Sequence, residues 1–284
     1  MSAVTRRETV GEFGVPSSAG GRMSPDDAAA LRDAVRILER TTLAGRLAAM
    51  AGKPIELIGS LVPSVVTDTV SRATEAALKA ALRVAIATVQ RGRAPPRPRL
   101  NAALAGASGA IGGAFGLSTL PLELPISTTL MLRAIAETAK REGEDLSDPD
   151  AALACLQVFA LGGRTPADDA AQSGYFAVRG LLAKSMGEAA RLFAQKGLLD
   201  ETAPAMVRLV GQIAARFGVV VSQKAAATAI PIVGAVGGAA VNMAFMAHFQ
   251  GIAAAHFTVR RLERAYGQDT IRESYDAIRE AGLA

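Results

Sequence analysis

From Asn101 to Leu122, and again from Ala225 to Val259, the chain carries no Asp, Glu, Lys or Arg. Both runs are at least as long as the ~20 residues a helix needs to cross a bilayer. Stretches of this kind must be buried, in lipid or inside a fold, and they limit everything else the chain can form. Glycines recur within them four positions apart: Gly109 and Gly113, Gly112 and Gly116, Gly234 and Gly238. On a helix that spacing lines one face and lets two backbones approach closely. These six glycines are candidate membrane or helix-packing positions.

Three features weigh against true membrane spans. The apolar residues are largely Ala and Gly, which gain little on leaving water beside Leu, Ile or Phe. Pro121 and Pro125 interrupt the first run, and Pro231 divides the second. With no Trp and three Tyr, the chain lacks the aromatic belts of membrane interfaces. The balance favours a buried core, ahead of a hairpin that inserts partly. Apolar residues repeat at helical spacing nearly everywhere, and no alternating run suggests a strand. The expected fold is therefore all-α, a multi-helix bundle with the two Gly/Ala-rich apolar segments packed centrally.

Local signals divide the chain further. Residues 1–23 read as a disordered tail without an apolar run of signal-peptide length, so a reducing, cytoplasmic setting is expected for the single Cys. Ser24, Pro25, Asp26 and Asp27 form a helix start: a capping hydroxyl, Pro at the first helical position, and acids at the positive end of the dipole. Residues 24–90 should form N-terminal helices, the longer running from Pro63 or Ser64 to Gln90. A Pro/Arg linker follows at 91–99, and a helical core fills 100–284. Within that core, helices are expected from Asp148 to Leu161, ended by Gly162 and Gly163, then near 167–196, 203–217, 219–229 and 269–281.

The charge is as uneven as the hydropathy. The net charge of the 284 residues is +5, and Arg91, Arg93, Arg97 and Arg99 supply four of it within RGRAPPRPR. Those four arginines are candidate contacts for anionic lipid, where each Lys or Arg contributes about 1 kcal/mol. Nucleic acid is not expected as a partner, because stacking aromatics are scarce and no recognition motif is present. Glu142, Glu144, Asp145, Asp148 and Asp150 form an acidic stretch, read as a solvated loop.

No catalytic constellation emerges, and no cofactor or metal is expected. His248 and His256 would lie two turns and about 80° apart on a straight helix, too far to chelate one ion. Cys155 sits on an apolar helix with no adjacent His, which suits packing rather than nucleophilic chemistry. Glu123, within Leu-Pro-Leu-Glu-Leu-Pro, is the informative acid. It could cap a helix starting near Pro125 or pair with Arg133 or another buried Arg. Asn242, His248 and Gln250 are candidates for a polar network on the second apolar segment. Glu123, Arg133, Asn242 and His248 together make the candidate polar site.

Three stretches carry a family resemblance: GGAFGLSTLPLELPISTTLMLRAIAETAKREGEDL, then ACLQVFALGG, then KAAATAIPIVGAVGGAAVNMAFMAHFQGIAAAHFTVRRLERAYG. In this order they resemble the bacterial EcsC protein family over residues of about 60–270. The resemblance implies an all-α domain of undetermined activity. The family is named for a protein encoded beside ABC transporter components, which implies a role near the membrane. Some relatives carry a peptidase label, which the residues here do not support. Three functions stay open. One is a non-enzymatic helical protein associated with the inner face of the cytoplasmic membrane or a membrane partner. The others are a soluble enzyme or ligand-binding protein using the candidate polar site, and a helical scaffold for another protein.

Overall fold

The computed structural model describes residues 23–40, 42, 43, 45, 64–91, 120–163, 174–196, 203–228 and 234–283. Among the described residues there are eight helices and no strand, as the periodicity requires. They are α1 (Pro25–Arg40), α2 (Ser64–Arg91), α3 (Leu120–Arg141), α4 (Pro149–Leu161), α5 (Tyr175–Lys196), α6 (Pro204–Thr228), α7 (Gly234–Tyr266) and α8 (Gln268–Leu283). The Pro/Arg linker with its four arginines (except the helical backbone of Arg91), the tail at 1–22 and Gly109, Gly112, Gly113 and Gly116 lie outside the described residues. Gly234 and Gly238 begin α7.

Caps sit where the sequence puts them. Ser24 Oγ accepts from the Asp27 amide at 3.1 Å, and Asp148 accepts from the Asp150 amide at 3.0 Å ahead of Pro149. Two expected interruptions are absent. α3 runs continuously from Leu120 through Pro121 and Pro125. Pro121 lies in the first turn, where amides have no intrahelical acceptor, so its missing N–H costs nothing there. α6 likewise runs through Gly218 in one piece, so the expected helices at 203–217 and 219–229 are one.

α4 is the centre of the bundle. Every residue from Ala151 to Leu161 is buried, as a helix apolar on all sides requires. α2, α3, α5, α6 and α7 all pack against it. Phe159 of α4 meets Phe217 of α6 at a ring distance of 5.0 Å and Phe249 of α7 at 5.5 Å. Phe245 closes the cluster at 5.3 Å from Phe249. The N-terminal helices α1 and α2 belong to the same core. Leu31 of α1 and Ala77 and Ala81 of α2 are fully buried, and α1 packs on α7 while α2 packs on α3 and α6. α3, which holds residues 120–122 of the first uncharged run, packs against α7, which holds most of the second.

Glycine serves opposite purposes at different sites. A Cβ at Gly163 would stand 2.1 Å from the Arg216 carbonyl oxygen of α6, and one at Gly162 would stand 2.5 Å from the Phe249 ring. Gly162 has an ordinary right-handed conformation (φ −73), so close approach and not backbone freedom demands glycine there. Gly211 of α6, in contrast, has nothing within 4 Å of the added Cβ. Gly211→Ala is therefore expected to stabilise the protein by about 0.5–1 kcal/mol, through helix propensity alone. A thermal melt unchanged or lowered in Gly211→Ala would show that its open surroundings are misjudged.

Candidate functional site

Two members of the candidate polar site converge, on a third residue the sequence reading did not select. Lys224, near the C-terminal end of α6, donates to Glu123 Oε1 at 2.6 Å and to Asn242 Oδ1 at 3.0 Å. The side chains of Lys224 and Glu123 are only 2% and 11% exposed. The ammonium also lies 4.9 Å from the Phe245 ring centroid, a favourable face for a cation. Local structure favours the carboxylate, since Glu123 occupies the first turn of α3, the helix end that suits a negative charge. Burial pushes the Lys224 ammonium below its ordinary pKa, while Glu123 acts in the opposite direction. The node ties α3, α6 and α7 together through one buried ion pair.

Arg133 and His248 lie elsewhere. Arg133 is exposed at the mouth of a crevice of about 40 Å³ between α2, α3 and α4, lined otherwise by Val84, Leu132, Ala136, Leu146, Ala152 and Cys155. Room of that size holds a few waters, far below the ~300 Å³ of ordinary ligand pockets. Burial raises the Cys155 thiol to about 12, which keeps it protonated and unreactive. His248 Nε2 lies 3.0 Å from the Gly162 carbonyl and, since a carbonyl can only accept, carries the proton. With Arg216 Nε donating to the Ala160 carbonyl at 3.1 Å, it satisfies carbonyls at the end of α4, where positive partners are favoured. Gln250 is exposed, so the expected network of Asn242, His248 and Gln250 resolves into separate contacts.

A second buried polar centre surrounds His256. The Tyr175 hydroxyl and His256 Nδ1 are 2.8 Å apart. Arg179 donates to that hydroxyl at 3.2 Å and to both oxygens of Glu263 at 2.6 and 3.0 Å. Glu39 of α1 accepts from the Tyr175 amide at 2.9 Å and the Tyr275 hydroxyl at 2.7 Å, so α1, α5, α7 and α8 meet here. Burial holds the His256 imidazole well below its ordinary 6.5, and the guanidiniums of Arg179 and Arg260 act in the same direction. It is neutral when folded but takes a proton near pH 6.5 when unfolded, so stability falls as pH drops below that value. The expected slope is up to about 1.4 kcal/mol per pH unit. Urea midpoints at pH 7.5, 6.5 and 5.5 should trace it, and His256→Gln should flatten it. An equally steep fall in His256→Gln would assign the acid sensitivity to another group.

The acidic stretch is only partly a solvated loop. Glu144 accepts from Arg260 at 2.8 and 3.0 Å and pairs with Arg264. Glu142 accepts from Arg261, which also reaches Asp27 of α1 at 2.9 Å. Burial alone would raise the Glu144 carboxyl, but the two guanidiniums bring it below its ordinary value. Among the described residues, the basic run at the end of α7 is thus the complement of Glu142 and Glu144. Among the described residues no group of three His, Cys, Asp or Glu side chains is placed to hold a metal ion.

This arrangement sits on three stretches: the Pro-Leu-Glu-Leu-Pro turn of α3, the buried α4 ending in two glycines, and the long α7 ending in its basic run. The model of the EcsC protein family matches residues 29–262. The chain belongs to the EcsC protein family. No curated protein and no solved structure matches it. In this EcsC-family chain the matched region includes Glu123, Lys224 and Asn242, most of α1, and Glu39, Tyr175, Arg179 and His256 of the second centre, while Glu263 and Tyr275 lie beyond it. By length and composition one described helix, Pro204–Ala227 of α6, could cross a membrane. Its three cations are anchored on other helices: Arg208 on Glu188, Arg216 on Ala160, Lys224 on Glu123.

Proposed function

We propose that this EcsC-family chain is a non-enzymatic helical protein associated with the inner face of the cytoplasmic membrane, through lipid or a membrane protein. The observation that carries the reading is α6. It is apolar enough to cross a membrane, yet only 44% of its most apolar stretch is buried by the rest of the protein. A helix whose sole task is to fill a soluble core hides more of its surface. The buried ionisable groups favour a non-enzymatic role: Glu123 with Lys224, Glu263 with Arg179 and Glu144 with Arg260 each join one helix to another element. Side chains engaged in this way hold helices in register rather than converge on an open concave site.

Cell fractionation tests the reading. The protein is expected in the membrane pellet at low salt and in the supernatant after a high-salt or alkaline wash, as for a peripheral protein. Complete recovery in the soluble fraction at low salt would overturn it.

A further inference from the structure

We propose that the outer face of the α5–α6 pair is the contact with the membrane, and that its partner is a bilayer surface containing anionic phospholipid. The inference rests on the membrane reading above and assigns it a place and a lipid chemistry. α5 and α6 lie side by side, tied by Ser185 Oγ donating to Gln212 Oε1 at 2.7 Å and by the Arg208–Glu188 pair. Their outer surface carries two of the four large exposed hydrophobic side chains described: Leu181, 56% exposed, and Val207, 57% exposed. Between Gly211 and Ser222 the exposed and half-buried positions of α6 include Ala214, Ala215, Gly218 and Val219, with Arg216 turned to the Ala160 carbonyl. Gly180, Gly187, Gly211 and Gly218 have no neighbour within 4 Å of an added Cβ. An apolar face this smooth can lie flat at the boundary of headgroups and acyl chains.

Charge selects the partner. α6 contains no acid, and the single acid of α5, Glu188, is paired with Arg208. Lys184 and Arg191 of α5 stand exposed beside this face. An apolar face flanked by cations, with the one carboxylate of its two helices paired with Arg208, complements a negatively charged lipid surface. A zwitterionic surface would lack that attraction, and an acidic protein would not need the apolar area.

Flotation with vesicles of phosphatidylcholine alone, or of phosphatidylcholine with phosphatidylglycerol, tests the assignment. The full chain should float with the anionic vesicles, and less so as salt rises. Leu181→Asp with Val207→Asp should reduce that binding by at least about ten-fold, since two apolar anchors are lost. Lys184→Glu with Arg191→Glu should reduce it on anionic vesicles and leave any residual binding to neutral ones unchanged. These positions are on the surface, so an unaltered thermal melt should confirm that each variant folds. Ile126→Asp with Met243→Asp, the other two exposed hydrophobics, serves as control and should bind as the parent does. If the parent floats and Leu181→Asp/Val207→Asp floats equally, the α5–α6 assignment is overturned and membrane association stands. If the parent floats with no vesicle, the lipid assignment is overturned, and recovery in the membrane pellet would then assign the association to a membrane protein. Sedimentation showing a dimer that Leu181→Asp/Val207→Asp dissolves would give the face to a second copy, and would also overturn the lipid assignment.

Discussion

Gly163→Ala is expected to cost at least about 3 kcal/mol, because the added methyl meets backbone rather than a side chain. The new Cβ would lie 2.1 Å from the Arg216 carbonyl oxygen and 2.6 Å from its carbonyl carbon. Neither can yield without moving α6, and Arg216 itself holds the Ala160 carbonyl at 3.1 Å. Relief requires α4 and α6 to separate across the Phe159–Phe217 contact, at the middle of the core. For a chain of this size the melting temperature should fall by roughly 6–12 °C. Gly162→Ala should cost somewhat less, since its obstacle is the Phe249 ring at 2.5 Å. That ring is nonetheless wedged among Phe159, Phe217 and Phe245. With Gly211→Ala stabilising, one substitution at three positions should change sign. A parent-like melt for Gly163→Ala would refute the packing of α4 on α6.

Much of this architecture is legible before any coordinates. Helical periodicity identifies the all-α class, and Ser24, Asp148 and Pro149 mark helix starts because capping is a local interaction. Gly162 and Gly163 mark the end of α4, although local sequence cannot reveal that their smallness answers α6 and α7. Sequence does not show the continuity of α3 through Pro121, because a proline in a first turn and one at a bend look alike until the helix start is known. Sequence alone marks Glu123 as a helix-capping acid or as the partner of Arg133 or another buried Arg, and it does lie in the first turn of α3. The actual cation, Lys224, stands directly before the second uncharged run. A buried carboxylate with an uncharged segment on one side could have been matched with the cation at the edge of the other. Pairing across that separation is tertiary information, as are the links from Arg179 to Glu263 and from Arg260 to Glu144. The exposed face of α5 and α6 was illegible for a related reason: Lys184, Arg191, Leu181 and Val207 acquire meaning only once two helices lie side by side.

Lys224→Met should be among the most damaging single substitutions, at about 3–5 kcal/mol, because it leaves the Glu123 carboxylate buried without its cation. Asn242 would aggravate the loss, since the side-chain oxygen that now accepts from Lys224 at 3.0 Å would lose its donor. Glu123→Gln alone should also destabilise, because it takes the carboxylate away from a buried ammonium. The double variant Glu123→Gln/Lys224→Met should recover much of the stability lost in Lys224→Met, because no isolated charge is left and methionine fills a similar volume. Urea unfolding of the four proteins closes a double-mutant cycle whose coupling energy should exceed about 1.5 kcal/mol. Surface pairs fall well below that figure, so the cycle separates a buried tie from a solvated one. Additive losses would mean that Glu123 and Lys224 do not depend on each other, and that α3, α6 and α7 are joined by apolar packing alone. A large coupling would place the ion pair among the determinants of how these three helices meet, independently of whether α6 touches a membrane.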